Sequence, residues 1–315
     1  MLINPKDFIA LGRKGLCLTS RADLQVIYSQ PQAARHSYIQ SIAIYNALLK
    51  TSSDHISVLN NKGNALQRLA NLYARNSKDK DACSSYLQSL VAYNASHRSS
   101  PNLVEPLNNK GSALTSLGKL LVKSSRYKLA RKRYERAVST FELSIEKFPS
   151  YAQAFHNKGN ALCNIAELQV TLSDHEGACK SYIQSILAYN EALKVAPNLA
   201  STFNEKGLSI QRLAFLQARL LKYEYAFVLY EHSINLFNDE LERFPHSLVA
   251  LCNKGNSFRM LADLQVSNLQ NYEACVNYSI SIFTFDNVLK RSPENIAGLK
   301  NRSLALESFN QIRMV

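Results

Sequence analysis

A Lys-Gly dipeptide recurs through this chain at a fixed interval of 48 residues. It occurs at Lys14, Lys62, Lys110, Lys158, Lys206 and Lys254, and Arg302-Ser303 stands at the next position of the series. Self-similarity at a period of this length is typical of a repeat solenoid, in which each unit packs only on its neighbours. The 315 residues therefore contain six whole repeats and part of a seventh.

Other columns of the repeat also keep one kind of residue, counted from each glycine. Alanine stands 19 residues after the glycine, at Ala34, Ala82, Ala130, Ala178, Ala226 and Ala274. Tyrosine follows four residues later, at Tyr38, Tyr86, Tyr134, Tyr182, Tyr230 and Tyr278. Proline closes five of the six repeats, at Pro101, Pro149, Pro197, Pro245 and Pro293. No insertion disturbs this register, so we expect six equivalent structural units.

The fourth repeat predicts what each unit looks like. From Ala152 to Leu172 the apolar residues follow a spacing of three and four, which indicates an amphipathic helix. Ser173 stands three residues before Glu176, and this capping-box spacing predicts the start of a second helix that ends before Pro197. We predict a helical hairpin in which the glycine column lets the two helices approach closely, with the tyrosine ring in the adjoining space.

The motif Asn157-Lys-Gly-Asn-Ala-Leu, with Ala178, Tyr182, Ser185 and Pro197, resembles the tetratricopeptide repeat (TPR) family. A usual TPR has about 34 residues. Here each helix is seven residues longer, which is close to two helical turns and keeps its apolar stripe within about 20° of the original direction. The resemblance implies an all-α, right-handed α-solenoid of antiparallel helical hairpins, forming a single domain over residues 1–315. The predicted repeats are 8–55, 56–103, 104–151, 152–199, 200–247 and 248–295, followed by a terminal helix at 296–315.

The resemblance also implies a binding face, because the first helix of each TPR lines the concave surface. Around the glycines this chain places asparagines at Asn60, Asn61, Asn64, Asn108, Asn109, Asn157, Asn160, Asn204, Asn253 and Asn256. An amide both donates and accepts hydrogen bonds, so a row of amides can pair with the backbone of an extended peptide. Arg68, Arg212 and Arg259 add positive charge to this predicted face. We therefore expect a scaffold that binds an extended peptide or an acidic segment of another protein; the alternative is that these asparagines only satisfy their own helices and solvent.

Positive charge is concentrated in one repeat. The chain has a net charge of +13, and residues 103–150 carry ten basic against four acidic side chains. The basic patch consists of Lys123, Arg126, Lys128, Arg131, Lys132, Arg133 and Arg136. Such a patch is either a solvated corner of the repeat or a surface that attracts an anion, which makes a nucleic-acid-associated solenoid the alternative function. The chain has no tryptophan, which gives base stacking little support.

The remaining sequence features limit the classes of protein to which this chain can belong. We find no nucleophile motif or phosphate-binding loop, and we predict a non-enzymatic protein without cofactor. Cys83, Cys179 and Cys275 share one column in alternate repeats, too far apart for a disulfide or a common metal. No apolar run reaches the roughly 18 residues of a membrane span, and the start Met1-Leu-Ile-Asn-Pro lacks a signal-peptide pattern, which predicts a cytoplasmic protein. The seventh first helix is expected either to cap the sixth repeat or to support self-association.

Overall fold

The computed structural model describes residues 5–313, and this range contains thirteen α-helices and no strand. The helices are α1 (Pro5–Ile27), α2 (Pro31–Thr51), α3 (Ile56–Arg75), α4 (Asp79–Ser99), α5 (Val104–Lys123), α6 (Tyr127–Lys147), α7 (Ala152–Thr171), α8 (His175–Val195), α9 (Ala200–Arg219), α10 (Tyr223–Arg243), α11 (Leu248–Ser267), α12 (Asn271–Arg291) and α13 (Ile296–Arg313). Odd numbers mark the first helix of each predicted hairpin and even numbers the second. Residues 1–4 and 314–315 lie outside the described residues; the first of these ranges holds most of the Met1-Leu-Ile-Asn-Pro start, and the second ends the predicted terminal helix.

The chain forms two compact units, residues 1–168 and 169–315. From α1 to α6 in the first unit and from α8 to α13 in the second, helices that follow one another along the chain pack together as antiparallel neighbours, as short connections require. First helices of neighbouring hairpins also contact each other: α1 with α3 and α3 with α5 in the first unit, α9 with α11 and α11 with α13 in the second. Over the described residues of either unit, successive second helices make no such contact. The first helices therefore lie on the inner side of each unit, and the second helices spread apart on the outer side.

The glycine column brings the two helices of a hairpin together, as predicted, but the aromatic ring that it faces belongs to a different column. A Cβ atom built on Gly111 would lie 2.5 Å from Cε1 of Phe141, and one on Gly63 would lie 2.5 Å from Cε1 of Tyr93. These rings stand 30 residues after the glycine, in a column that consists of Tyr45, Tyr93, Phe141, Tyr189, Phe237 and Phe285. Tyr134, of the tyrosine column named above, packs against Gly118, seven residues further along α5 than Gly111.

Serine side chains reinforce the same contact between helices. The hydroxyl of Ser41 on α2 donates to the carbonyl oxygen of Gly15 on α1 at 2.8 Å, and Ser281 on α12 donates to Gly255 on α11 at 2.8 Å. Both serines are fully buried. A small residue is needed at this column because a larger side chain would hold the two backbones apart.

The turn between the two helices differs from the predicted capping box by one residue. Ser173 is in the left-handed conformation with φ 60°, and the side chain of Asp174 caps α8 by accepting a hydrogen bond from the backbone N–H of Gly177 at 3.0 Å. The N–H of Ser173 donates to the carbonyl of Val170, and that of Asp174 to the carbonyl of Gln169. This is a Schellman motif, in which Ser173 is the left-handed residue after α7 and Asp174 is the N-cap residue before α8. The assignment of Ser173 as the capping residue was therefore wrong.

Candidate peptide-binding face

Asparagine side chains link neighbouring first helices on the inner side of the first unit. Nδ2 of Asn109 on α5 donates to Oδ1 of Asn60 on α3 at 3.2 Å, and Nδ2 of Asn157 on α7 donates to Oδ1 of Asn108 on α5 at 2.9 Å. In both pairs the donor stands two residues before its glycine and the acceptor three residues before the preceding one, a separation of 49 residues. The predicted asparagines therefore form an ordered row, which we call the amide row, in which one hairpin is bonded to the next.

The second unit repeats this arrangement and adds an arginine. Asn253 on α11 donates through Nδ2 to Oδ1 of Asn204 on α9. Three residues along α11, Asn256 accepts a hydrogen bond from Arg259 at 3.1 Å. Arg259 also forms an ion pair with Asp263 at 2.7 Å. Its charge is therefore balanced within its own helix.

A cavity of about 320 Å³ opens beside this arginine. It is lined by residues of three helices, which include Phe215 of α9, Tyr223 and Tyr230 of α10, and Arg259 and Asp263 of α11. The Nε atom of Arg259 is buried and has no hydrogen-bond partner among residues 5–313. The cavity thus combines aromatic walls with a guanidinium that can still donate a hydrogen bond.

Arg68 in the first unit is also paired. It forms an ion pair with Asp23 of α1, and the hydroxyl of Tyr38 donates to the same carboxylate at 2.6 Å. The hydrogen bond to Asp23 raises the pKa of the Arg68 guanidinium, against an opposing effect of burial. Arg212 lies half-buried on α9. The face consequently offers polar amides more than free positive charge.

The other predicted amides contact side chains of their own unit. Oδ1 of Asn64 accepts hydrogen bonds from the hydroxyl of Tyr93 at 2.8 Å and from Asn109 at 3.1 Å. Nδ2 of Asn160 lies 3.1 Å from Nε2 of His156. Burial lowers the pKa of His156, which favours the neutral ring that can accept this bond. Asn61 is half-buried on α3, in the column of Asn109.

One polar column of this face escaped the sequence analysis. It lies eight residues after the glycine, where Asp23, Asn71 and Asp263 each accept a hydrogen bond from a tyrosine hydroxyl of the second helix. The donors are Tyr38, Tyr86 and Tyr278, at 2.6, 2.5 and 2.6 Å. The sequence contained a signal for this column, because a side chain that can accept a hydrogen bond recurs 15 residues before the tyrosine. These hydroxyls tie the outer helix of a hairpin to its inner helix.

The predicted basic patch is spread over different surroundings. Lys123 forms an ion pair with Asp79 at 3.4 Å, and Arg131 pairs with Glu135 at 2.9 Å. Arg126 stands directly before α6, where its backbone N–H closes the turn after α5. These three residues are exposed and belong to the corner between the two helices.

The remaining basic residues divide into two pairs. Lys128 and Lys132 are exposed on α6. Arg133 and Arg136 instead line a groove together with Lys110 of α5. The seven residues therefore do not act as one uniform surface.

The described residues offer neither a metal site nor a membrane span. No group of histidine, cysteine, aspartate and glutamate side chains in residues 5–313 is arranged to hold a metal ion. Within the same range, no helix is both apolar and long enough to cross a membrane. The polar inner face thus remains the candidate site that recurs in both units.

Comparisons with known proteins identify the fold. No protein-family model and no curated protein sequence matches the chain. Among solved structures it is similar to BtubC from P. vanneervenii, with 13% identity and a TM-score of 0.62 over 79% of this chain and 89% of that one. It is also similar to the S. pombe nuclear import adaptor Nro1, with 12% identity and a TM-score of 0.63 over 94% of this chain and 99% of that one. A third similar structure is aspartyl phosphate phosphatase F from Bacillus subtilis, with 12% identity and a TM-score of 0.57 over 98% of this chain and 72% of that one. Identities this low show the fold alone, and that fold is the TPR-like helical-repeat solenoid that the 48-residue columns predicted.

Proposed function

We propose that this protein is a non-enzymatic scaffold that holds an extended segment of a partner protein along the inner helices of its hairpins. The observation that carries the proposal is the amide row, in which Asn109, Asn157 and Asn253 are each hydrogen-bonded to an asparagine of the preceding hairpin. Asn109 and Asn157 stand one repeat apart, so successive hairpins of the first unit present the same polar group; Glu205 occupies this column before Asn253.

Amides suit the recognition of a peptide backbone. Each has two donor hydrogens and an acceptor oxygen with two lone pairs, and the bond between hairpins uses only part of this capacity. The half-buried side chains are also held in one orientation by those bonds. The protein side chains therefore lose less conformational entropy when a ligand binds than freely rotating side chains would lose.

Charge contributes a second, less specific attraction. The net charge of +13 favours association with acidic partners at long range. Arg68 and Arg259 are already ion-paired on the inner face, so we expect backbone contacts to decide the affinity there. Nro1, which shares the fold, is described as a nuclear import adaptor, so an adaptor role has a precedent in this fold.

The test compares two triple variants. Asn109→Ala, Asn157→Ala, Asn253→Ala removes three donors of the amide row, and Asn46→Ala, Asn190→Ala, Asn238→Ala removes three asparagines from second helices. Peptides are selected from a displayed library of unstructured 12-residue sequences on the unaltered protein, and their affinities are measured by fluorescence anisotropy. We expect the first variant to bind at least about tenfold more weakly, which corresponds to about 1.4 kcal/mol, and the second to bind within about twofold of the unaltered protein.

A chemical change in the peptide tests the same mechanism from the other side. Methylation of alternate backbone nitrogens removes donors and leaves every side chain in place, so we expect it to abolish binding. Circular dichroism confirms that both triple variants remain helical. Equal affinity of the two variants, or full binding of the methylated peptide, would contradict recognition of the backbone by the amide row.

A further inference from the structure

A groove on the outer side of the first unit carries a different kind of chemistry. It has a volume of about 580 Å³ and lies between the second helices α4 and α6, with the first helix α5 as its floor. Such a gap follows from the fold, because successive second helices of this unit do not contact each other over the described residues. The lining of α6 extends from Arg133 to Leu143, so the groove is about 15 Å long.

The walls of the groove are apolar and accessible. Leu87 and Val91 of α4 are 43% and 67% exposed, and Leu143 of α6 is 38% exposed. Leu107 and Leu114 form the floor and are buried. Three large apolar side chains that face one groove form an unpartnered apolar surface of the kind that binds another molecule.

Three cations border this apolar surface. Lys110 of α5 and Arg133 and Arg136 of α6 line the groove, and no aspartate or glutamate does so in the described chain. None of the three forms an ion pair with a described carboxylate. Two of the three acids of α6 are occupied elsewhere, since Glu135 pairs with Arg131 and Glu142 with Lys158.

The crowding of like charges supports an anionic ligand. Burial lowers the pKa of Lys110, and the charge of Arg136 lowers it further. Two cations that repel each other at the edge of an apolar groove destabilise the unoccupied protein slightly. An anion between them would remove this repulsion.

The preceding repeat forms an equivalent groove that lacks this positive charge. The equivalent groove, of about 310 Å³, lies between α2 and α4 over α3. Ser85 and Gln88 stand there, 48 residues before Arg133 and Arg136, and the carboxylate of Asp81 lies among the lining residues. The fold therefore creates the groove, while the side chains of the third repeat make it basic.

We propose that the groove between α4 and α6 binds a short, acidic amphipathic helix of a partner protein. Apolar residues of that helix, spaced by three and four, would pack between Val91 and Leu143, and its carboxylates would pair with Arg133 and Arg136. About ten residues, or three turns, fill a length of 15 Å. The apolar floor disfavours a nucleic-acid backbone, whose phosphates need polar contacts along their whole length.

This surface is separate from the amide row, and its ligand is tested with different residues. Helical peptides of 16 residues are selected from a displayed random library on the unaltered protein. The test variant is Arg133→Ser, Arg136→Gln, which introduces the residues of the preceding groove. The matched control is Lys128→Ser, Lys132→Gln, which removes the same charge from exposed positions of α6 that do not line the groove.

We expect selected peptides that combine aspartate or glutamate with leucine, isoleucine or phenylalanine at helical spacing. The affinity of these peptides should fall at least about tenfold for the Arg133→Ser, Arg136→Gln variant and less than about threefold for the control. Replacing the carboxylates of the peptides by amides should weaken their binding to the unaltered protein by as much as the Arg133→Ser, Arg136→Gln change does. The triple variant of the amide row should bind them as the unaltered protein does, which separates this surface from the inner face.

Several results would overturn the proposal. Equal losses in the test variant and its control would mean that the peptides respond only to net charge. Recovery of no peptide whose binding depends on the two arginines would also count against it. If a uridine RNA homopolymer, or vesicles containing phosphatidylserine, bound in a manner that depends on Arg133 and Arg136 while no peptide did, the groove would be a site for that other class of ligand.

Discussion

At the scale of single residues, the glycine column is explained by one steric contact. Glycine within a helix costs about 1 kcal/mol relative to alanine. Here an added Cβ would collide with a fully buried ring, because Phe141 has no exposed surface and cannot move aside. The ring therefore determines which glycines the fold requires. Gly12, three residues before Gly15 on α1, has no described atom within 4 Å of its Cβ position and is not under this constraint.

These two glycines allow a matched prediction. Gly111→Ala gains helix propensity but overpacks the ring of Phe141, and we expect a net loss of about 1–2 kcal/mol in unfolding free energy. Gly12→Ala meets no obstacle, and we expect a gain of up to about 1 kcal/mol. Urea denaturation followed by circular dichroism measures both. A similar change in the two variants would show that the ring contact does not explain the column.

At the scale of elements, each hairpin turn is built around a strained residue. Ser29, Ser77, Ser125, Ser173, Leu221 and Leu269 all have φ between 55° and 60°, a region that costs a residue with a side chain about 1–2 kcal/mol. The Schellman bonds compensate for this strain, and the N-cap residue of the next helix stands directly after the strained residue. Basic side chains join successive turns at the other end of the hairpins: Arg243 donates to the carbonyl of Pro197 and Arg291 to that of Pro245.

A glycine at the strained position should stabilise the protein. Leu221 is 73% exposed, so Leu221→Gly removes the strain and sacrifices little packing. We expect a gain of about 0.5–1 kcal/mol after the entropic cost of glycine. Leu220→Gly is the control, because Leu220 has φ −88° and gains nothing from glycine; we expect it to lose about 1 kcal/mol. Thermal unfolding of both variants measures the difference, and a loss in Leu221→Gly would argue against strain at this turn.

At the scale of the whole molecule, three histidines whose pKa is lower in the folded state than in the unfolded state make stability depend on pH. Burial lowers the pKa of His97, His156 and His232, so the folded chain keeps these rings neutral where the unfolded chain takes up protons. The unfolded state binds more protons below about pH 6.5, and stability is therefore lost as the pH falls through that value. Burial raises the pKa of Glu240, which acts in the opposite direction at lower pH.

His156→Asn isolates one of these contributions, because asparagine occupies the same column at Asn60, Asn108 and Asn204. We expect this variant to match the unaltered protein near pH 7.5 and to lose less stability between pH 7 and pH 5.5. Urea midpoints measured across that range provide the comparison. Parallel pH profiles would show that His156 does not titrate differently in the folded and unfolded states.

Much of the architecture was predictable from the sequence. The strict period, the helical spacing of apolar residues and the small-residue columns determined a stack of helical hairpins, because these signals are local and are repeated six times. The position of the inner amides followed from the same register. The turn was assigned one residue early because its left-handed position holds serine or leucine, whereas glycine is the usual residue there.

The partners of these residues were decided only by the tertiary structure. The contact of Gly111 with Phe141 depends on how the two helices cross and on their offset along the helix axis. The same is true of the hydrogen bond from Asn109 to Asn60, which joins helices far apart in sequence. The groove likewise requires α4, α5 and α6 together, since Arg133 and Arg136 appear in the sequence as part of a charge run and only packing places them beside Val91. A period reports which positions are equivalent, but the distance between side chains depends on how the helices pack, and that distance determines the chemistry of both candidate surfaces.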